Sequence, residues 1–245
     1  MRTSGWIIVI IYTLLLGVSC EGDRCFHSVG TEEKLWVETG YFQKMNVKGM
    51  LHIFLVEDTA CFVEFEGGSN VLEYVSAVNT DSLLELYNTN ACAFFRDYEK
   101  IRAFVHYQRL DRVDILEVCE LESLDSLREI GSMTAQGDMA EINIMLDCRN
   151  FSFYNHRTTG GVFTFSGSVD RGYFLGFYTA KFVFEDLVVR DLYLMNSSLS
   201  DMYVNATERL EVRILHRGDI YYSGSPEIII DSLSGSGRLL PWIGP

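Results

Sequence analysis

DIYYSGSP, residues 219–226, reads as one strand and one turn: an acid, Ile220 and Tyr222 alternating around Tyr221, then Ser-Gly-Ser-Pro. The same opening stands twice upstream, as DLYLMN from Asp191 and DMYVNA from Asp201. A phrase written three times suggests one strand repeated on neighbouring coils of a stack. In such a stack the aliphatic side chains point inward, and Tyr193, Tyr203 and Tyr221 form an outward ladder, a candidate binding surface.

Around these phrases, short alternating segments recur from Gly160 onward. They centre on Phe163–Phe165, Phe182–Phe184, Leu192–Leu194, Met202–Val204, Leu210–Ile214, Ile220–Tyr222 and Ile228–Ile230. A spacing of about ten residues suits a sandwich, a barrel or a stacked solenoid. The Asn-Gly and Asp-Gly turns of tight hairpins are missing between these segments. That omission and the repeated wording favour a solenoid of about twenty residues per two-strand coil. An antiparallel sandwich with its tyrosines on one solvent face is the alternative.

The first half is also β-like. YFQKMNVKGMLHIFLVED (41–58), CFVEFEGG (61–68), DSLLELYNTN (81–90) and KIRAFVHYQRLDRVDILEV (100–118) read as strands between polar or glycine breaks. VLEYVSAV from Val71 fits either a short helix or a strand. LESLDSLREIGSM (121–133) fits either one helical turn or a coil with its leucines inward. The expected fold is all-β, a right-handed parallel β-helix or β-solenoid-like stack, in one domain over residues 26–240 with a tail at 241–245. With 48% hydrophobic residues the chain can bury such a core, and a net charge of −14 repels phosphate backbones, which excludes nucleic acid as a partner.

The N-terminus carries an address. Arg2 precedes the apolar run WIIVIIYTLLLGV (Trp6 to Val18), which is short for a spanning helix and ends in LGVSC. Small residues before Cys20 resemble a bacterial lipoprotein signal, with residues 1–19 removed, Cys20 lipidated and residues 20–25 forming a tether. Two or more acyl chains, at about 0.8 kcal/mol per buried CH2, hold a protein stably on a membrane. An ordinary secretory signal with Cys20 incidental is the alternative. Of the other cysteines, Cys61, Cys119 and Cys148 sit in or beside apolar runs and read as packing residues.

The C-terminal stretch ATERLEVRILHRGDIYYSGSPEIIIDSLSGSGRL (206–239) resembles the closing segment of the head GIN domain family, described as auto-transporter adhesins. Gly218-Asp219, Tyr222, Gly224-Ser225-Pro226 and Ser234 to Gly237 occupy its successive steps. The departures are Leu215, His216 and Arg217 where a Ser-Gly pair is common, and only one intact Ser-Gly-Ser-Gly. The resemblance implies an exported β-solenoid, commonly on lipoproteins of Bacteroidetes-type bacteria. It implies no particular ligand.

No G-x-S-x-G elbow, H-E-x-x-H or P-loop is present, so the sequence names no catalytic residue, no cofactor and no metal site. The RGD of residues 217–219 matches an integrin tripeptide, but Asp219 opens a strand. The expectation is therefore a non-enzymatic envelope lipoprotein of the outer membrane, held by its lipid anchor and binding a glycan or protein. The rival is a carbohydrate-active solenoid enzyme, which Asp191 and Asp201 would serve if their half-units stacked. A cleft combining acids with Arg or Lys would favour the enzyme, and acids spread along turns the binding module. A third reading, end-to-end association of solenoids, calls for a large apolar patch at one end.

Overall fold

The computed structural model describes residues 28–90, 100–137, 139–156 and 160–243. The expected signal peptide, Cys20, Cys25 and Cys92 lie outside them. The described chain is a β-solenoid of about 6 turns, with two sheets facing each other across one core. The regular coils come from β11 (Ala140–Asn155), β12 (Val162–Tyr178), β13 (Lys181–Ser198) and β14 (Met202–Ile214). Each of these strands runs along the first sheet, bends at a corner and continues along the second. The first-sheet stack continues with β15 (Ile220–Ser223) and β17 (Leu239–Pro241), and the second-sheet stack with β16 (Glu227–Leu233). Segments that read as separate short strands, such as Phe182–Phe184 and Leu192–Leu194, are thus halves of one bent strand.

Parallel pairing in register places like positions above one another, so the core is built of columns. On the first sheet Leu121, Ile142, Phe163, Phe182, Met202 and Ile220 are successive partners. On the second, Val113, Met133, Phe153, Phe174, Leu194 and Val212 follow one another. All of these are buried. Between the sheets Phe153, Phe163, Phe165, Phe174 and Phe184 pack ring against ring. Truncating one such ring to alanine costs about 3–5 kcal/mol.

The N-terminal part departs from a simple winding. β2 (Lys44–Lys48) lies between β6 (Leu83–Asn88) and β8 (Arg112–Ile115) on the second sheet. β3 (His52–Glu57) lies between β7 (Arg102–Tyr107) and β9 (Cys119–Ser123) on the first. The first coil in sequence is therefore enclosed by the second and third, and β10 (Ser132–Ala135) continues the stack from β8 to β11. Beyond β7 the strands reverse: β4 (Phe62–Gly68) runs antiparallel to it, and β1 (Glu32–Glu38) antiparallel to β4. Val71 and Leu72 of the short α1 (Ser69–Leu72), with Val75 of β5 (Val75–Thr80), are buried at this end. The segment from Val71 is thus both helix and strand. The opposite end has no such cap among the described residues, and Ile228, Ile230 and Leu233 of β16 are exposed.

The three acid-tyrosine phrases are not one position repeated. Asp201 and Asp219 open β-segments of the same sheet, with Tyr203 in register with Tyr221. Asp191 and Tyr193 lie on the other sheet, in register with Arg171 and Tyr173 before them and Arg209 and Glu211 after. Asp191 and Asp201 are consecutive half-units, which follow each other around the coil instead of stacking.

The repeated acid on the first sheet has a structural reason. The Asp219 backbone N–H donates to Asp201 Oδ1 at 2.8 Å, and the Arg238 N–H donates to Asp219 Oδ1 at 2.7 Å. Each carboxylate therefore ties its coil to the next, and Asp219 also accepts from Arg238 Nη2 at 2.8 Å. The RGD tripeptide is part of this corner, where a Cβ on Gly218 would meet the Ser200 carbonyl oxygen at 2.0 Å. At the same corner the buried Asn196 donates to the Ser200 and Gly218 carbonyls and accepts from the Ser198 N–H and hydroxyl.

Arg238 holds the Asp219 carboxyl below the usual range. A depressed carboxylate stabilises the fold above its unfolded value, near pH ~4, and loses that contribution as pH falls through the folded value. Asp219→Asn should therefore lower stability by about 1 kcal/mol at neutral pH. The gap from wild type should close in urea titrations run below pH ~4. Asn196→Ala, which strands buried carbonyls, should cost about 2–3 kcal/mol at every pH.

Candidate binding surface

The corner where β11 to β14 pass from the first sheet to the second is irregular. Register shifts fall between Thr164 and Gly167, and between Phe184 and Asp191. Gly167 takes φ +96°, and a Cβ there would lie 2.1 Å from the Leu146 carbonyl oxygen, so only glycine lets the strands approach and turn. Outside this corner runs a trough of about 880 Å³, lined by residues of six successive coils.

Its charges come in opposed pairs. Arg190 reaches Asp170 and Asp191 at 3.5 Å each and Glu208 at 3.8 Å, while Arg128 reaches Asp147 at 3.5 Å. Arg190 is 41% exposed and the carboxylates Asp147, Asp170 and Glu208 are 49–67% exposed, so these groups remain solvated. Cys148 stands in the wall, where burial pushes its thiol up to about 12, leaving it protonated and unreactive.

The trough opens onto a shelf on the second sheet. Its outward rows are Asn150, Arg171, Asp191 and Arg209, and beside them Ser152, Tyr173, Tyr193 and Glu211. Tyr173 and Tyr193 stack with centroids 4.2 Å apart and planes 5° from parallel, and Tyr154 lies 6.3 Å from Tyr173. Apart from Tyr154, these residues line a concavity of about 490 Å³ that shares Asn150 with the trough. Burial and the neighbouring Tyr193 push the Tyr173 phenol up, and contact with Tyr193 and Asp231 raises the Arg213 guanidinium. The Tyr173 phenol therefore stays protonated and able to donate.

The tyrosine ladder expected from sequence is accordingly split. Tyr193 pairs with Tyr173 on the shelf, whereas Tyr203 and Tyr221 stack at 4.8 Å on the other sheet, with Trp242 edge-on to Tyr203. All three are half-buried. Sequence reading missed Tyr173, Arg171 and Arg190. Tyr173 stands one coil of about twenty residues before Tyr193, and that spacing was a usable signal. Nothing in the sequence brings the acids of five turns to one trough, because that follows from the bend. Among the described residues no group of three or more His, Cys, Asp or Glu is placed to hold a metal ion.

Arg190 is solvated and shared among several acids, so Arg190→Ala should change stability by less than about 1 kcal/mol in urea unfolding. A loss of ligand binding in that variant then reports on the trough and not on the fold.

Comparison with known proteins accords with this architecture. The crystal structure of a "putative adhesin" from Bacteroides fragilis superposes with a TM-score of 0.75 at 16% identity, covering 86% of this chain and 97% of its own. A "putative lipid binding protein" from Parabacteroides distasonis gives 0.58 at 17% identity, covering 87% and 97%. A "putative adhesin" from Parabacteroides merdae gives 0.58 at 12% identity over the same shares. At these identities the likeness is one of fold. Comparison with curated proteins returned no match. A family profile described as "Putative auto-transporter adhesin, head GIN domain" matches residues 41–226, and the chain belongs to that family.

Proposed function

We propose that this protein is a non-enzymatic adhesin-type module of the bacterial cell envelope that binds a polysaccharide along the shelf and trough. The observation that carries this reading is the preformed Tyr173–Tyr193 stack beside Arg171, Asp191, Arg209 and Glu211. Phenol rings offer apolar surface to a sugar, and flanking guanidinium and carboxylate groups meet its hydroxyls. A trough crossing six coils gives a linear polymer an extended track.

The trough does combine acids with arginines, the arrangement that favours a hydrolase or lyase. Catalysis by paired carboxylates needs one of them shielded enough to hold a proton near neutral pH. The trough acids are instead open to water and share solvated arginines. This supports binding over cleavage. The lipid anchor at Cys20 and placement on the outer membrane complete the reading, with the solenoid carried clear of the bilayer by the polar residues after Cys20.

Two measurements test it. Proteolysis of intact cells, with Cys20→Ala as the anchoring control and a periplasmic marker for leakage, should shave the wild type from the surface; protection until the outer membrane is broken would end the adhesin reading. In a screen of bacterial and host polysaccharides, Tyr173→Ala/Tyr193→Ala should weaken the best ligand by about 10-fold or more, equal to about 1.4 kcal/mol. No reducing ends should accumulate on prolonged incubation.

A further inference from the structure

We propose that the outer face of the N-terminal cap carries a second ligand site, a stacking platform for neutral pyranose rings centred on Trp36. On an antiparallel sheet with one face on the core, outward positions are ordinarily polar. Here the inward positions of β4, β7 and β3 are already filled by Val63, Phe65, Ala103, Val105, Ile53 and Leu55. Yet the outward positions include Trp36, Phe62, Phe104, Phe54 and His106, and no other layer covers them among the described residues.

These rings are ordered into a stack. Trp36 lies on Phe62 with centroids 3.8 Å apart and planes 18° apart, and Phe62 lies on His106 at 3.9 Å and 15°. His106 is clamped by Asp58, Nδ1 to Oδ2 at 2.9 Å, and Asp58 in turn accepts from the Thr59 and Ala60 backbone N–H groups. A second stack, Phe104 on Phe54 at 4.9 Å, runs along the neighbouring row. The first stack ends at Trp36, on an edge strand paired only with β4 among the described residues. One face of the indole rests on Phe62 and the residue is 52% exposed. Edge strands are usually guarded by charge, and Glu32, Glu33, Lys34 and Glu38 do this on β1. Trp36 breaks that pattern on the side facing solvent.

The rim selects the ligand. Lys34 engages Glu64 and Glu66, and Arg102 engages Glu32 and Glu66. Both cations are therefore committed to carboxylates, which keep acceptor lone pairs for incoming hydroxyls. An anionic ligand would meet this acidic rim and a net charge of −14. A neutral sugar matches it, stacking its C–H face on the indole and donating hydroxyl protons to Glu38, Glu64 or Asp58. A stack held in place before binding gives up little side-chain entropy.

The platform is tested in the Tyr173→Ala/Tyr193→Ala background, so that the shelf contributes nothing. Laminarin, mannan and xylan serve as neutral probes and polygalacturonate as the anionic one, in affinity gels and by tryptophan fluorescence. The expected result is retardation by a neutral probe, weakened about 10-fold or more by Trp36→Ala, and largely kept by Trp36→Phe, with unfolding midpoints unchanged by either. Equal binding by Trp36→Ala, binding of polygalacturonate alone, or no binding of any neutral probe would each overturn the platform, and none of these outcomes bears on the shelf.

Discussion

Register between parallel coils is the constraint on which the rest of this structure depends. A residue that points inward on one turn must have inward neighbours on the turns before and after, because a slip of one residue would turn a whole strand inside out. The columns through Leu121, Ile142, Phe163 and Phe182, and through Met133, Phe153, Phe174 and Leu194, satisfy that demand with rings in the middle coils and smaller aliphatics outside them. Once the columns are set, the outward rows are aligned too. Tyr173 stacks on Tyr193, and Arg171 stands beside Asp191, as consequences of the same register.

Corners must be solved separately, since a parallel coil cannot close without bending its strands. Buried backbone groups at each bend need partners that the ladder no longer supplies. Asn196 provides them at the corner where the Asp201–Asp219–Arg238 series also links successive coils. The other corner carries the register shifts and the left-handed Gly167, and there the surface falls away into the trough. The candidate binding surface is thus placed by the geometry of closure, with its chemistry supplied by whichever side chains stand at the bend.

This explains what the sequence disclosed. Alternation and repetition are local, so the strands around Phe163, Phe182, Leu210 and Ile220 were legible, as was the family resemblance at the C-terminus. Long-range order was not. The three acid-tyrosine phrases have similar spelling, yet one belongs to the opposite sheet, because the 191 and 201 phrases lie half a coil apart and the 201 and 219 phrases nearly a full coil apart. The enclosure of β2 and β3 between later coils leaves no local mark. The Trp36 platform did leave one, since HIFLVE, FVEF and RAFVHY are apolar at both odd and even positions, more than a sheet covered on one face needs.

The two surfaces also differ in how they can act together. A solenoid transmits little bending between neighbouring coils, so the shelf on the second sheet and Trp36 on the first are held at a fixed separation on opposite sides of the molecule. On the proposed reading, a short glycan would occupy one or the other. A long or branched polymer would reach both, and the second contact would then form at an effective concentration set by the polymer and not by free ligand. On the same reading, weak stacking sites on a rigid scaffold would favour extended polymers over small sugars by that route, without either site needing high affinity of its own.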